Sequence, residues 1–112
     1  MKIFGIPNCD TVKKARTFLE KKKISFEFID FKKTPPTFAD ITRWTESYGD
    51  LPVNKTGTTY KKHKEAFEKL GAEEKISFLC QNSSMIKRPI LEKNGKVLAF
   101  GFKEDEYQNL HR

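Results

Sequence analysis

The fold of this chain is decided by residues 2–23, KIFGIPNCDTVKKARTFLEKKK. The run Lys2–Ile6 is largely apolar and stops at Pro7, which suits a buried strand because proline has no N–H to donate to a sheet. From about Asp10 to Lys22 apolar residues recur at helical spacing, and they are Val12, Ala15, Phe18 and Leu19. The stretch therefore predicts a strand that leads directly into a helix.

The next segment predicts a second strand and a second helix. Residues 25–31 are rich in aromatic and β-branched side chains, as strands are. Thr37 and Asp40 resemble a capping pair, and Gly49 ends the helix predicted over 38–48. The stripe expected to face the core consists of Phe38, Ile41, Trp44 and Tyr48. Residues 50–57 contain Pro52 and Gly57 without periodicity, which predicts a surface loop.

Two further helices are predicted in the middle of the chain. The first begins near Thr58, carries His63 on its apolar stripe and ends at Gly71. We interpret His63 as a packed histidine rather than a catalyst. The second covers about Glu73 to Gln81 and is expected to bury Ile76, Leu79 and Cys80.

The end of the chain predicts a β-hairpin and a closing helix. Pro89–Glu92 and Lys96–Phe100 are strand-like, and Asn94–Gly95 between them is a strong turn signal. Glu104 to Leu110 would form a short helix, with His111–Arg112 frayed. A β-α-β start followed by an antiparallel hairpin predicts an α/β fold with a four-stranded mixed sheet and flanking helices.

Length and composition limit the possible functions. At 112 residues the chain fits one domain, since domains cluster near roughly 100–150 residues. It has no apolar run of ~18–20 residues and no signal-peptide pattern, so we expect a cytoplasmic protein with no membrane partner. Two cysteines and two histidines, at none of the usual spacings, predict no metal site. The net charge of +7 is compatible with nucleic acid, an acidic protein or an anionic small molecule as partner, without deciding among them. The basic residues look dispersed over helix surfaces, and we interpret them as solvated helix faces.

Cys9 is the strongest candidate nucleophile. It lies one residue before the predicted first helix, where unpaired backbone N–H groups and the helix dipole favour an anion such as a thiolate. The same placement lowers the pKa of cysteines in redox proteins. Asp10 opposes this effect, and Lys13 and Lys14 partly offset Asp10. The alternative is a small buried cysteine that only fills space.

Three further residues bear on the chemistry of Cys9. Val12 stands where a dithiol motif would carry its second cysteine, so an exogenous thiol must regenerate Cys9. Cys80 could resolve Cys9 only within disulfide reach, roughly 4.4–6.8 Å between Cα atoms, and we interpret Cys80 as a buried structural cysteine. Arg88, before Pro89, carries a fork of donors that suits a carboxylate or oxyanion, although spacing alone favours an ordinary surface arginine.

Three motifs together resemble a known family. They are Gly5–Arg16, the loop Asn54–Thr59 and Ile86–Ile90. In this order they resemble the ArsC/Spx/YffB group of arsenate-reductase-related proteins, and most of all its YffB-like branch. The resemblance implies a single thioredoxin-like domain over residues 1–112, with a helical insertion at about 36–84 and a cis bond before Pro89.

The resemblance also implies the site. Cys9 would be the catalytic nucleophile and Arg88 the oxyanion-contacting residue. Asn8 and the helix amides would hold the anionic sulfur, Arg88 would bind a carboxylate, and the Asn54–Thr59 loop would form the facing wall. The full set of substrate- and glutathione-binding residues implied in this way is Asn8, Asp10, Thr11, Asn54, Lys55, Thr58, Arg88 and Pro89.

The chain departs from the group at two points. Glutaredoxin-linked arsenate reductases surround the oxyanion with three arginines, whereas here Asn54 stands at the first position and Phe100–Phe102 near the third. Losing two charge-assisted contacts, each worth about 1.5–3 kcal/mol, should sharply weaken arsenate binding. Val12 breaks the Cys-x-x-Cys switch of the Spx regulators.

The predicted function is that of a glutathione-dependent thiol reductase with no tightly bound cofactor. The Cys9 thiolate would attack an oxidised sulfur or other electrophile, and glutathione, as co-substrate, would resolve the adduct. The predicted partners are glutathione and a small-molecule or thiol/disulfide substrate, with glutaredoxin as a further candidate, and the chain should be a monomer. The alternative is a Spx-like module that binds RNA polymerase without catalysis. A third reading, a true arsenate reductase, needs the missing arginines.

Overall fold

The computed structural model describes residues 1–109. Its elements are β1 (Lys2–Gly5), α1 (Asp10–Lys21), β2 (Glu27–Asp30), α2 (Phe38–Tyr48), α3 (Thr58–Glu68), α4 (Ala72–Gln81), a 3₁₀ turn (Ser83–Met85), β3 (Ile90–Lys93), β4 (Lys96–Phe100) and α5 (Glu104–Gln108). The predicted helix end at Leu110 and the predicted fraying of His111–Arg112 lie outside the described residues.

The chain divides into two compact units. The first, here called the sheet unit, joins Met1–Thr34 to the segment from Arg88 onward, and the second, the helical unit, is Pro35–Lys87. The assignment of residues 1–112 to one domain with an insertion at 36–84 stays a prediction. None of the helices within residues 1–109 combines the length and apolar character needed to cross a membrane.

The sheet unit contains the predicted four-stranded mixed sheet. Its strand order is β2-β1-β3-β4. Strand β1 runs parallel to β2 and antiparallel to β3, and β3 pairs antiparallel with β4. Strands β1 and β2 are slightly shorter than predicted, since β1 ends at Gly5 and β2 covers only Glu27–Asp30. Strand β4 has its predicted bounds, and β3 keeps its predicted length but begins one residue later, after Pro89. The absence of a proline N–H explains that last boundary.

Strand β1 and helix α1 meet directly at Gly5. A Cβ added to Gly5 would lie 2.7 Å from Val12 Cγ2, closer than van der Waals contact allows, so only glycine fits between the strand and the helix. Val12, Ala15 and Leu19 are the buried residues of α1. The strand-to-helix turn that carries Cys9 is therefore held on both sides by packed residues.

An aromatic cluster packs the residues after β4 against α1. Phe102 packs edge-on against Tyr107 with ring centroids 4.8 Å apart, and Phe18 of α1 lies 5.8 Å from Phe102. The Tyr107 hydroxyl donates to the Gly101 carbonyl at 3.1 Å, and the Gly101 N–H donates to the Pro89 carbonyl at 2.7 Å. Gly101 has φ +78°, a conformation that favours glycine. These bonds tie the residues after β4 to the residue before β3.

Helix α2 of the helical unit begins and ends as predicted. The Thr37 hydroxyl accepts from the Asp40 N–H, and the Asp40 carboxylate accepts from the Thr37 N–H, which is the reciprocal capping box. Gly49 ends the helix in the left-handed region. The predicted buried stripe is wrong at both ends, because Phe38 and Tyr48 are 46% and 42% exposed. Both lie in terminal turns of α2, where neighbouring elements cover less of a side chain.

The predicted surface loop at 50–57 is partly buried. Pro52 and Val53 are buried, and Val53 forms an antiparallel bridge with Ile86. The Pro52 carbonyl accepts from the Lys87 N–H at 2.8 Å. The prediction was wrong here because this pairing joins segments distant in sequence, which local composition cannot show.

Helix α4 begins one residue earlier than predicted and buries less. Within α4 only Leu79 is fully buried, whereas Ile76 and Cys80 are half-buried. Cys80 lies about 100° further around the helix than Leu79, so the core covers only part of its side chain. The interpretation of Cys80 as a buried residue is therefore corrected. On α3, the His63 ring packs edge-on against Phe78 with centroids 5.5 Å apart, as a packed histidine should.

Candidate thiol site at the start of the first helix

Cys9 is the N-cap residue of α1. Its backbone is extended, with φ −96° and ψ 125°, and its carbonyl accepts the Lys13 N–H at 3.0 Å. The side chain is half-buried. An N-cap side chain lies over the unpaired N–H groups of the first helical turn, so the Cys9 sulfur faces backbone donors and also remains accessible.

The surroundings of the sulfur favour the thiolate. Partial burial raises the pKa of Cys9, but the Val12 N–H, the hydrogen bond and positive charge of Arg88, and the Thr11 N–H lower the pKa. Together these three groups outweigh burial, and the pKa of Cys9 lies below that of an ordinary cysteine. The Val12 and Thr11 amides act on the sulfur as hydrogen-bond donors at the start of the helix, whereas Arg88 also acts through its charge.

Sheet pairing explains why Arg88 lies beside Cys9. In the antiparallel register of β1 and β3, Phe4 lies opposite Ile90. The residues after β1 and the residues before β3 therefore leave the sheet at the same edge. Arg88 is half-buried, and the peptide bond from Arg88 to Pro89 is cis, as the family resemblance implies.

The other predicted residues of the sheet unit contribute unequally. Asn8 and Asp10 are exposed, and Thr11 is half-buried. Thr11 acts on Cys9 through its backbone N–H. The sequence analysis expected amides of the helix start to hold the sulfur but did not name Val12, whose N–H lies at the N3 position, where such a donor is expected when Cys9 is the N-cap.

The remaining predicted residues belong to the helical unit. The Asn54 N–H donates to the Met85 carbonyl at 2.7 Å, and the Asn54 side-chain oxygen accepts from the Thr56 hydroxyl at 2.9 Å. A Cβ on Gly57 would lie 2.9 Å from Asn54 Nδ2, so glycine lets this turn close. Lys55 and Thr58 are exposed. Their assignment to substrate binding stays a prediction.

Comparison with known proteins places the chain in a family. The model of the ArsC family matches residues 4–110, which is nearly the whole chain. The chain belongs to the ArsC family. A solved structure of a YFFB protein is 38% identical to this ArsC-family chain, with a TM-score of 0.87 and 96% of each chain covered. This likeness shows that the α/β fold is the thioredoxin-like fold of the group.

Two further relatives are of different kinds. The structure of a possible arsenate reductase from Streptococcus mutans is 28% identical, with a TM-score of 0.81, and covers 99% of this chain and 97% of its own. A global transcriptional regulator, Spx of Streptococcus mutans, is 25% identical over 93% of this chain and 77% of its own length. The ArsC-family chain is thus similar to proteins with both redox and regulatory names.

The second cysteine of this ArsC-family protein lies in a different electrostatic environment. Burial and the negative charge of Asp40 raise the pKa of Cys80 above its ordinary value. Cys9 and Cys80 are both free thiols. The surroundings of the two cysteines therefore differ, and they favour the thiolate at Cys9 and disfavour it at Cys80.

The described part of the ArsC-family chain, residues 1–109, contains no group of three or more His, Cys, Asp or Glu side chains that could hold a metal ion. The candidate site consists of the Cys9 thiol, the Arg88 guanidinium and the Thr11 and Val12 N–H groups at the start of α1.

Proposed function

We propose that this chain is a glutathione-dependent thiol reductase in which Cys9 is the single nucleophile. One observation carries the proposal: the Arg88 guanidinium and the Val12 and Thr11 N–H groups act together to lower the pKa of a half-exposed Cys9 thiol. The thiolate is the nucleophilic form of cysteine. A thiolate that is stabilised and still accessible can attack a substrate.

The proposed reaction has two disulfide exchanges. In the first, the Cys9 thiolate attacks one sulfur of a substrate mixed disulfide with glutathione, forms a Cys9–glutathione disulfide and releases the substrate thiolate. In the second, the thiolate of a free glutathione attacks the glutathione sulfur of the adduct, releasing the Cys9 thiolate and oxidised glutathione. The mixed disulfide and one free glutathione thus become the substrate thiol and oxidised glutathione, so that one disulfide bond is broken and one is formed.

Side chains near Cys9 support glutathione as co-substrate. A dithiol motif would carry its second cysteine at residue 12. Val12 has no thiol, so it cannot resolve a Cys9–glutathione disulfide. Glutathione is an anionic peptide, and Arg88 offers the donor fork that suits a carboxylate. Asn8 is exposed next to Cys9 and would contact the bound tripeptide. A reaction that consumes glutathione needs a reducing compartment, so the proposal assigns the chain to the cytosol.

Oxidised glutathione tests the proposal directly. After brief exposure, peptide mass analysis should find one glutathione, attached to Cys9. Cys80→Ser should form the same adduct, Cys9→Ser should form none, and Arg88→Ala should form it more slowly. A Cys9–Cys80 disulfide that forms without a mixed intermediate would contradict the single-nucleophile mechanism.

Turnover tests the second exchange. With a glutathione mixed disulfide as substrate, wild-type protein should release oxidised glutathione, measured by coupling to glutathione reductase and NADPH consumption. Cys80→Ser should turn over at the wild-type rate, because no step uses Cys80. If the adduct forms but free glutathione does not discharge it, the reductant is a protein thiol, for which glutaredoxin is the candidate, and the glutathione-dependent proposal fails.

The second candidate function is regulatory. It rests on the similarity to the transcriptional regulator Spx, which covers 93% of this chain. A module of that kind would bind RNA polymerase without using the Cys9 thiol. The discriminating experiment is co-purification of RNA polymerase with wild type and Cys9→Ser: equal retention, together with an unreactive Cys9, would favour the module over the enzyme.

A further inference from the structure

The exposed side of α1 carries a basic groove with an aromatic floor. The groove has a volume of about 570 Å³ and lies wholly within the sheet unit. Its walls include Lys13, Lys14, Lys21 and Lys22 of α1, and its floor is formed by Phe18 and Phe102. We call it the lysine groove. None of the reactions proposed for Cys9 uses these lysines.

Helical spacing gives the groove its shape. Lys13 and Lys21 lie on one row of residues four apart, and Lys14, Phe18 and Lys22 lie on the adjacent row. From residue 13 to residue 22 the helix rises by about 13–14 Å. An extended peptide advances ~3.3 Å per residue, so about four peptide residues would span the groove.

The charge of the groove is strongly unbalanced. The four lysines are exposed, and within residues 1–109 none of them forms an ion pair. Among the residues that the structure describes, one carboxylate lines the same groove, that of Glu104. Like charges one turn apart on a helix repel one another, so an anionic ligand would relieve repulsion among the four lysines.

The floor of the groove distinguishes a peptide from a nucleic acid. Phe18 and Phe102 are half-buried, and their rings pack at an angle of 57°. Lys22 Nζ lies 5.7 Å from the Phe18 ring centroid. Tilted rings, one of them partly covered by an ammonium group, make a poor platform for base stacking. They suit an aliphatic side chain that enters between the lysines.

We propose that the lysine groove docks an acidic segment of a partner protein, with an aliphatic side chain of that segment on Phe18 and Phe102. The carboxylates of the segment pair with the four lysines. The groove begins one turn after the nucleophile, since the Lys13 N–H donates to the Cys9 carbonyl. A partner docked there lies on the helix that begins at the thiol. This binding goes beyond the proposed reductase activity and does not depend on it.

A labelled peptide tests the docking surface. The probe is a fluorescein-labelled octapeptide of alternating glutamate and leucine, and binding to the full chain is followed by anisotropy at low ionic strength. Lys14→Glu/Lys21→Glu should weaken binding about tenfold or more, because two attractions become repulsions. Lys61→Glu/Lys62→Glu is the matched control: it reverses two exposed lysines of α3, changes the net charge equally and should bind within about twofold of wild type.

Three further measurements complete the test. The neutral double variant Lys14→Gln/Lys21→Gln should lose less binding affinity than the charge-reversed variant. It keeps the test valid if charge reversal disturbs the folding of α1. Replacing leucine by serine in the probe should weaken binding about fivefold, since the apolar contact is lost. Cys9→Ser should bind the probe as wild type does, so that failure of the thiol chemistry and failure of docking are distinguished.

Two outcomes would overturn the proposal. Equal weakening by the control pair, with no preference for leucine over serine, would mean diffuse attraction to a basic protein. Tighter binding of a short DNA duplex than of the peptide, with the same loss in Lys14→Glu/Lys21→Glu, would make the groove a nucleic-acid surface.

Discussion

At Cys9, one burial effect competes with three stabilising groups. Burial alone would raise the pKa of the Cys9 thiol, yet the Val12 N–H, Arg88 and the Thr11 N–H lower it further than burial raises it. Of the three, only Arg88 acts through a side chain. Arg88 is therefore the residue by which mutation can separate the charge effect from the helix-start effect.

We expect Arg88→Ala to raise the pKa of Cys9. Removing a positive charge and a hydrogen-bond donor disfavours the thiolate, so the midpoint of the alkylation rate against pH should move upward and the rate at neutral pH should fall several-fold. The measurement is iodoacetamide labelling of Cys9 in a Cys80→Ser background. The midpoint for Arg88→Lys should lie between those of wild type and Arg88→Ala, because lysine keeps the positive charge but lacks the planar set of guanidinium donors. An unchanged midpoint in Arg88→Ala would show that the amides alone stabilise the thiolate.

Cys80 should behave in the opposite way. Burial and the Asp40 carboxylate raise its pKa, so Cys80 should be alkylated more slowly than Cys9 near neutral pH. Asp40→Asn removes the negative charge, keeps an acceptor for the helix cap and should speed labelling of Cys80. Asp50→Asn is the control, since Asp50 is exposed and is not among the groups that raise this pKa. If Cys80 proves the faster thiol in wild type, Cys9 is not the reactive site.

At the scale of elements, the contact between β1 and α1 controls the position of the thiol. Gly5 leaves room for the Val12 side chain, and a Cβ there would lie 2.7 Å from Val12 Cγ2. Cys9 lies on the turn between these two residues. Crowding at Gly5 should therefore affect stability and thiol reactivity together.

We expect Gly5→Ala to lower the free energy of unfolding by about 1–3 kcal/mol, as overpacking of a core does. Urea denaturation measures the loss. Val12→Ala removes the clashing methyl groups and retains the backbone N–H that faces Cys9, so the double variant should lose less than the sum of the single variants. A favourable coupling of at least ~0.5 kcal/mol is expected for residues in contact, and strict additivity would contradict the clash.

Sequence reasoning succeeded where a signal is local. The Thr37 and Asp40 capping pair and the Gly49 stop located α2 to the residue, because both signals act within one helical turn. Cys9 was located at the helix start for the same reason. The buried bridge between Val53 and Ile86 was missed, because strand-like pairing across a long separation leaves no trace in local composition.

The position of Arg88 beside Cys9 is a second feature that local sequence could not show. Spacing alone favoured an ordinary surface arginine at Arg88, and only the family resemblance assigned it to the site. The physical cause is the register of β1 and β3, which no periodicity within either strand reveals. The helix that carries Cys80 was predicted correctly, but the sequence did not show how much of that helix contacts the core. For that reason the prediction of a buried Cys80 thiol was wrong.

At the scale of the whole molecule, the family resemblance predicts too few positively charged donors for arsenate. Of the three arginine positions in glutaredoxin-linked arsenate reductases, the resemblance matches only Arg88. Near the third position, Phe102 packs against Tyr107 at 4.8 Å and belongs to the aromatic cluster. That position is thus occupied by packed apolar residues rather than by a donor.

We therefore expect poor arsenate reduction. In an assay with arsenate, glutathione and glutaredoxin, turnover should fall far below that of a three-arginine relative, because charge-assisted donors to the oxyanion are missing. The same preparation should reduce a glutathione mixed disulfide, which controls for an inactive thiol. Efficient arsenate turnover would show that groups other than arginine hold the oxyanion.

The sheet unit is assembled from the two ends of the chain, with Pro35–Lys87 between them, and this order matters while the protein is being made. A ribosome that adds roughly 5–20 residues per second needs several seconds to synthesise that intervening segment. During this interval the nascent chain has exposed Cys9 but has neither Arg88 nor strand β3, the antiparallel neighbour of β1. Until Arg88 has been synthesised, the Cys9 thiolate therefore lacks the charge and the hydrogen bond of that residue, and only the amides at the start of α1 can lower its pKa.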